Sequence, residues 1–280
     1  MGEGARSFLR VGSMAAKHIA FAIIAAGFAA CSMPGKTPLT AEQTYPVAIK
    51  DSAERRDRAD KDWKRMLDAY NLPQTAPDLY PITYTPKSLP GGNGGIKVMT
   101  AKAAQETQES ALREAAKGFI KRWQVLTEAD PAGISLTASN QTGDMTRFTY
   151  RQMSYPFPIA GKYGQMTLTL GADGTLREID DRFIPVVDFP NRPSVDRATA
   201  IGSVLGRTLT STGDGATADQ VKITAKADIS SARLVLLPVE KSGELQLHLA
   251  WQLTTAAKPT GWSIFVDAIN GGVLLAGKSA

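Results

Sequence analysis

The sequence that decides the fold reads LAWQL at residues 249–253 and GWSIFVDAINGGVL at residues 261–274. In the strand that leads into it, large apolar residues alternate with smaller or polar ones. The apolar set is Leu245, Leu247, Leu249 and Trp251, and the intervening set is Gln246, His248, Ala250 and Gln252. Side chains alternate between the two faces of a β-strand, so one face is apolar and the other is more polar. The pattern predicts antiparallel strands with Trp251 and Trp262 in a core.

The end of this stretch carries the signals of a tight turn. Asn270-Gly271 predicts a type I′ hairpin, because both central residues of that turn need positive φ. Asp267 precedes the turn, and its carboxylate can accept backbone N–H bonds two residues further on. We therefore expect two short strands joined directly at Asn270-Gly271.

Outward from this hairpin, the order of helix followed by strands occurs twice. Helices are predicted at residues 100–126 and at residues 195–209, the second capped by Ser194. Period-two patterns predict strands at 134–136, 146–153, 165–170 and 175–183 after the first helix, and at 221–224, 232–238, 244–254, 261–267 and 272–275 after the second. The sequence therefore predicts an α+β protein with two units, each a helix packed on an antiparallel β-meander.

A charged helix is predicted upstream, at residues 51–70. Asp51 and Glu54 have the spacing of a capping box. The apolar stripe of this helix consists of Trp63, Met66, Leu67 and Tyr70, and acidic and basic residues alternate over the remaining surface. Five prolines follow within residues 71–90, and the glycine-rich run 91–95 predicts a hinge.

The motifs resemble a known family. The 249–274 stretch is similar to the end of the PepSY domain, which occurs in the propeptides of thermolysin-like metallopeptidases. The preceding unit resembles the companion FTP domain of those propeptides, although Pro156 replaces the usual glycine of its motif. The matching residues of this unit are Gln152, Pro158, Ile159, Gly161, Asp173 and Gly174. The resemblance implies a PepSY/cystatin-like fold and, because such domains pack on a catalytic domain, binding to a peptidase.

The N-terminus has the features of a bacterial lipoprotein leader. Scattered basic residues precede the apolar run 19–30, which is shorter than the roughly 20 residues that span a bilayer. Small residues lead to Cys31, the only cysteine, as in a lipobox. We expect lipidation at Cys31, and Ser32 favours the outer membrane. An ordinary cleavage site beside an unmodified cysteine is the alternative.

The composition argues against nucleic-acid binding and against several kinds of metal and catalytic site. The net charge of +5 is too small to indicate a nucleic-acid partner, and a single cysteine rules out cysteine-based zinc clusters. An HExxH site needs two histidines, and only His248 follows the predicted leader. His248 lies on the more polar strand face and is expected to be a surface or lightly paired side chain. A role in a Ser-His-Asp triad would need a nucleophile motif such as GxSxG, and none occurs. Adjacent Asp180 and Asp181 would point to opposite faces. We therefore expect no enzymatic activity, no metal and no cofactor.

The predicted function is that of a non-catalytic, lipid-anchored envelope protein that binds and inhibits, chaperones or localises a secreted or periplasmic peptidase. Tyr155 and Phe157, at an aromatic and proline-rich tip, are the predicted partner contact; the alternative is that they cover their own core. A structural or assembly component of the envelope is the second hypothesis, and an enzyme with an unrecognised site the third. The oligomeric state is open.

The predicted boundaries follow from these patterns. They are 1–30 for the signal peptide, 31–50 for the lipidated cysteine and tether, 51–99 for the charged helix and linker, 100–190 for the FTP-like unit and 191–280 for the PepSY-like unit.

Overall fold

A computed structural model describes residues 44–90, 95–99, 107–211, 219–256 and 261–278. Contacts divide the chain into a unit Met1–Thr40 and a unit Ala41–Ala280, and every described residue belongs to the second. The predicted signal peptide, the lipidation site Cys31 and most of the glycine-rich hinge lie outside the described residues.

The described elements are three α-helices and twelve β-strands. The helices are α1 (Ala53–Ala69), α2 (Gln108–Arg122) and α3 (Arg197–Val204). The strands are β1 (Val47–Lys50), β2 (Ile96–Lys97), β3 (Ile134–Thr142), β4 (Met145–Gln152), β5 (Gln165–Gly171), β6 (Thr175–Asp181), β7 (Thr208–Thr210), β8 (Gln220–Lys222), β9 (Ile229–Lys241), β10 (Glu244–Thr255), β11 (Trp262–Asp267) and β12 (Val273–Lys278).

The strands form two five-stranded antiparallel sheets and a separate β7–β8 hairpin. The N-terminal sheet has the order β2-β6-β5-β4-β3. In the C-terminal sheet, β9 pairs along the whole length of β10. The opposite edge of β10 is shared, with β1 paired to residues 244–247 and β11 paired to residues 250–254. The fold is thus α+β with few helices and antiparallel sheets.

Helix α2 covers the N-terminal sheet. Thr107 caps it by accepting a hydrogen bond from the N–H of Ser110, and Lys121 and Arg122 lie in the last turn, where cations favour the helix dipole. Its buried residues are Ala111, Leu112, Ala116, Phe119 and Ile120, and most of them share one core with the inward side chains of β4, β5 and β6. The helix ends at Arg122, earlier than predicted, because the chain forms a series of turns from Trp123 to Glu128.

Helix α1 belongs to the same core. Trp63, Met66 and Leu67 are at most 1% exposed and pack with α2 and the N-terminal sheet. Its N-cap is Ser52, whose hydroxyl accepts a hydrogen bond from Arg55 N, so the predicted capping box at Asp51 is wrong. The carboxylate of Asp51 instead binds Arg56 and the hydroxyl of Tyr84.

The N-terminal segment is therefore more than a tether and linker. Residues 47–50, which fall within the predicted tether, form a strand of the C-terminal sheet, while α1 packs into the other core. The sequence analysis missed β1 because a four-residue strand carries too little periodicity to be recognised.

The third helix is shorter than predicted. It covers Arg197–Val204 and is capped by Asp196 rather than Ser194. Gly206 has a φ of +74°, which ends the helical path, and the following residues form β7. β-Branched Thr208 and Thr210 favour a strand there.

The turn after β11 also differs from the prediction. Only Gly271 has positive φ, so the loop is not a type I′ turn at Asn270-Gly271. The carboxylate of Asp267 accepts hydrogen bonds from Ile269 N at 2.8 Å and Asn270 N at 3.1 Å. These bonds hold a wider loop, which closes where Asp267 N donates to Gly272 O at 2.7 Å.

The packing of α1 generates a prediction about stability. Met66→Ala should lower the free energy of unfolding by about 2–5 kcal/mol, because it opens a cavity in the N-terminal core. Met153→Ala is the matched control, since Met153 is 60% exposed and should change stability by less than about 0.5 kcal/mol. Urea unfolding measures both. Equal small effects would mean that α1 is not part of the core.

Candidate functional site

A short segment joins the two sheets through backbone hydrogen bonds. Leu236 N on β9 donates to Pro158 O at 3.0 Å, and Ala160 N donates to Leu236 O at 2.8 Å. Ile159 thereby forms a parallel bridge with Leu236. This segment, Pro158–Ala160, is called the cross-sheet bridge. It adds a fragment of strand to the edge of β9.

Polar contacts continue the junction towards the end of β9. The hydroxyl of Tyr163 donates to Glu240 Oε1 at 2.6 Å, and Lys162 Nζ lies 2.7 Å from the same oxygen. The hydrogen bonds from Lys162 and Tyr163 lower the pKa of Glu240. Burial, followed by the bond to Glu240, raises the pKa of Tyr163. Glu240 is therefore held as a carboxylate beside Lys162 and Tyr163.

The two predicted contact residues have different surroundings. Tyr155 is only 8% exposed; its hydroxyl donates to Pro185 O at 2.8 Å and accepts from Val187 N at 3.2 Å. Burial raises its pKa to about 12. Phe157 is half-buried, between exposed Pro156 and Pro158. The structure thus favours the core interpretation for Tyr155 and leaves only Phe157 accessible.

Gln152, a residue of the sequence motif, fixes the chain beside this tip. Its side chain donates to Ile184 O at 2.7 Å and accepts from Ile184 N at 3.0 Å. It is 4% exposed, so both bonds replace water. The side chain of Gln152 thus satisfies both backbone polar groups of Ile184, as a neighbouring strand would.

β3 and β9 are two of the outer strands of the described sheets. β3 is an outer strand of the N-terminal sheet, with the uncharged sequence ISLTASNQT and mostly exposed side chains. β9 is an outer strand of the other sheet, and its first half precedes the cross-sheet bridge. Unpaired edges present N–H and C=O groups to which another extended chain can bind.

A polar cluster fills the gap on β10 between β1 and β11. The hydroxyl of Tyr45 accepts a hydrogen bond from Leu249 N at 3.1 Å and donates to Asp267 Oδ1 at 3.0 Å. His248 Nδ1 lies 3.0 Å from Asp267 Oδ2, and its ring meets that of Tyr45 edge to face at 5.9 Å between centroids. His248 is 7% exposed, so it is not a surface residue; of the two alternatives for this side chain, the structure favours the paired one.

The pKa shifts of Asp267 and Tyr45 agree with these hydrogen bonds. Burial disfavours the charge on Asp267, but hydrogen bonds from His248, Ile269, Asn270 and Tyr45 outweigh it and lower the pKa. Burial and the neighbouring Asp267 carboxylate raise the pKa of Tyr45. Among the described residues, the side chain of His248 bonds only to Asp267, so no serine or cysteine nucleophile completes a triad. The cluster holds β10 and β11 to the segment that begins at Tyr45. The sequence did not predict the role of Tyr45, because no short-range pattern marks this residue.

The adjacent aspartates of β6 face different environments. Asp180 is half-buried and accepts hydrogen bonds from Tyr80 at 2.8 Å and Arg182 at 3.1 Å. Asp181 is fully buried; its Oδ1 accepts from Phe183 N at 3.0 Å, whereas Oδ2 has no partner. Burial raises the pKa of Asp181 well above its ordinary value. The pair does not form a shared acid/base site.

A shallow groove of about 530 Å³ lies between the start of α1 and the β9–β10 turn. Asp51, Arg56 and Tyr84 line it and bind one another, with Arg56 Nη2 donating to the Tyr84 hydroxyl at 2.7 Å. Ile82, also in the lining, has a φ of +73°, and its carbonyl accepts from Arg55 Nη1 at 2.8 Å. The polar groups on the α1 side of this groove thus hold the loop that carries Ile82 and Tyr84 to α1.

The described part of the chain holds no group of three or more His, Cys, Asp or Glu side chains placed to bind a metal ion. None of the helices in that part is both long enough and apolar enough to cross a bilayer.

These features define a two-sheet α+β protein with a buried polar cluster and open strand edges. Among solved structures, it is similar to the Bacillus megaterium YpeB C-terminal domain, with a TM-score of 0.33 and 15% identity over 64% of this chain and 68% of that one. No protein-family model and no curated protein matches the sequence.

The Tyr45 hydroxyl can be tested by removing one oxygen atom. Tyr45→Phe should lower the free energy of unfolding by about 1–3 kcal/mol, because it leaves Leu249 N without its partner. Tyr150→Phe is the matched control: the Tyr150 hydroxyl is buried without a partner, so its removal should be neutral or stabilising. Urea unfolding distinguishes the two, and equal effects would contradict the role of Tyr45.

Asp181 should make stability depend on pH. Its pKa is raised by folding, so its contribution is most favourable below the unfolded pKa and is lost as pH rises towards the folded value. Relative to wild type, Asp181→Asn should therefore gain stability as pH increases from 4 to 8, by at most about 1.4 kcal/mol per pH unit.

Thermal or urea unfolding over that pH range measures the trend. Asp180→Asn is the control, because Asp180 is half-buried with two partners on the other side of the strand. A stability difference for Asp181→Asn that does not change with pH would contradict the raised pKa.

Proposed function

We propose that this chain is a non-catalytic, lipid-anchored protein of the bacterial envelope that binds and regulates a secreted or periplasmic peptidase. The PepSY-like and FTP-like sequence motifs support this proposal, since in the related propeptides such domains pack on a catalytic domain. Lipidation at Cys31 would attach the protein to the membrane, and Ser32 favours the outer membrane. No nucleic acid or cofactor is needed for this role.

The open edge of β3 is the observation that carries the proposal. Successive residues of β3 alternate between bonding to β4 and facing the open edge. Ala138, Asn140 and Thr142 bond to β4. Ser139 and Gln141 present their backbone N–H and C=O groups outward. Natural edge strands are usually protected by charges, prolines or strong bulges. β3 has one register irregularity, between Leu136 and Ala138, and neither charge nor proline.

Such an edge suits a partner that contributes an extended segment. Backbone hydrogen bonds would then supply affinity, and alternate side chains would supply specificity. Phe157, half-buried at the proline-rich tip, is the second proposed contact. Tyr155 supports the tip from inside through its bonds to Pro185 and Val187.

A structural role in envelope assembly is the second candidate function. The outer face of α1 favours it, because this face carries exposed charge pairs such as Arg58–Glu54 that the core does not use. Such a surface could contact other envelope proteins. Recovery of envelope proteins without any peptidase would support this candidate over the first.

The proposal predicts a difference between two substitutions at one position. Gln141→Pro removes an outward N–H without removing a bond to β4, and it should weaken partner binding by roughly tenfold, the equivalent of one hydrogen bond. Gln141→Ala keeps the N–H and should bind as wild type. The immobilised protein is incubated with secreted and periplasmic fractions of its source, and retained peptidases are identified and assayed with and without added protein.

Phe157→Ala provides an independent test of the tip, and Tyr155 is left unchanged to preserve the fold. Binding that is insensitive to both Gln141→Pro and Phe157→Ala would exclude these contacts. Added protein that neither inhibits nor assists any retained peptidase would contradict the proposed function itself.

A further inference from the structure

The side of β6 that faces away from β5 is paired at both ends but not in the middle. Near the start of the strand, Thr175 and Leu176 pair with β2. At its end, Asp181 N donates to Pro86 O at 2.9 Å. The residues 87–95 connect Pro86 to β2, whereas only 177–180 separate the corresponding positions of β6. The connection is longer than the edge it follows, and the stretch 177–180, called the ladder gap, has no strand partner among the described residues.

Ile179 presents its backbone groups to the ladder gap. Asp181 N bonds to Pro86, and the next residue, Arg182, bonds through its N–H to Gln165 O beside β5. Bond directions alternate along an antiparallel strand, so Ile179 points as Asp181 does, away from β5. The register irregularity of this ladder lies earlier in β6. Within the part of the chain that the structure describes, neither the N–H nor the C=O of Ile179 has a hydrogen-bond partner.

A similar gap in the other sheet is filled by the protein itself. Between β1 and β11, the Tyr45 hydroxyl accepts from Leu249 N, and Ala268 N donates to Leu249 O. At the ladder gap, a groove of about 670 Å³ opens instead, and Ile179 lines it together with residues 87–90. A free N–H beside a free C=O is the pattern that an amide group completes. The ladder gap therefore suits the backbone of an extended peptide.

The charges of the groove favour an acidic peptide. Most of the charged residues that line it are already paired, in the contacts Glu178–Arg147, Asp180–Tyr80 and Arg177–Asp173. Lys87 also lines the groove; it is exposed, and its ammonium group has no hydrogen bond or ion pair with the described residues. A carboxylate on the bound peptide would therefore meet an unpaired cation, whereas a basic side chain would not find a free carboxylate.

We propose that the ladder gap binds a short extended peptide that carries an acidic side chain. The peptide backbone pairs with the N–H and C=O of Ile179, and the carboxylate lies beside Lys87. At about 3.3 Å per residue, the stretch 177–180 offers about 13 Å of edge, which limits the paired segment to roughly three residues. The ladder gap lies on the other side of the sheet from β3, so the inference is independent of the edge that carries the proposed function.

Two blocked tripeptides test the backbone pairing and the charge separately. Both are N-acetylated and C-amidated; one reads alanine–glutamate–alanine, and the other has glutamine in place of glutamate. The full chain is prepared in detergent with nitrogen-15-labelled isoleucine and glutamine, and its amide resonances are followed by NMR during each titration. The Ile179 amide should shift saturably with a Kd of roughly 1–10 mM, because few hydrogen bonds form. The glutamate peptide should bind roughly twofold to fivefold more tightly, as expected for one exposed ion pair.

Lys87→Gln should remove this preference, so that both peptides bind equally. Lys64→Gln is the matched control, because Lys64 is an exposed lysine of α1 outside the groove, and it should leave the preference unchanged. The amide of Gln141 reports separately on the edge of β3. Peptides that shift Gln141 but not Ile179 would overturn the proposal while leaving the β3 contact intact. Equal affinities of the two peptides for the unsubstituted chain would also overturn it.

Discussion

The structure depends on satisfying the backbone of β10. This strand lies between β9 on one side and two collinear strands on the other, and β1 and β11 do not meet. At the gap, the Tyr45 hydroxyl accepts from Leu249 N, and Ala268 N donates to Leu249 O at 2.7 Å. A buried amide without a partner costs about as much as a lost hydrogen bond, so the side chain of Tyr45 in effect continues the ladder.

This arrangement ties the beginning of the described chain to its end. Asp267 receives hydrogen bonds from Tyr45 and from the loop after β11, so one carboxylate holds β1, β10 and β11 together. From β1 the chain passes into α1, which packs into the core of the other sheet. The two sheets therefore share a connection at both α1 and the cross-sheet bridge.

The sequence predicts what is local and periodic. Alternation identified most residues of β4, β5, β6 and β10, because each has a buried face. In β3 the prediction covered only residues 134–136, because the side chains of this strand are mostly exposed. The spacing of apolar residues on α1 identified Trp63, Met66 and Leu67 as one stripe, but not the core into which this stripe packs. The predicted N-caps were wrong at both α1 and α3. Asp51 was predicted where Ser52 is the cap, and Ser194 where Asp196 is the cap. All four are good capping residues, so only the path of the backbone decides between them.

The features that the sequence did not predict depend on contacts between distant parts of the chain. Nothing within a short window shows that Tyr45 meets Leu249, more than 200 positions away, or that His248 is buried against Asp267 rather than exposed. The same holds for the tip that includes Tyr155 and Phe157. The sequence marked it as an unusual aromatic and proline-rich segment, but only the fold shows that Tyr155 supports it from within.

The cross-sheet bridge gives the two open edges different properties. At β9, the protein's own chain already occupies the edge at Leu236, so any additional strand has a limited length. At β3, no described segment limits the edge in this way, and its uncharged sequence places few restrictions on the side chains opposite. A strand added at β9 would therefore end at the bridge, whereas one added at β3 could extend along the whole strand. The difference arises because one edge is partly covered by the protein's own backbone and the other is not.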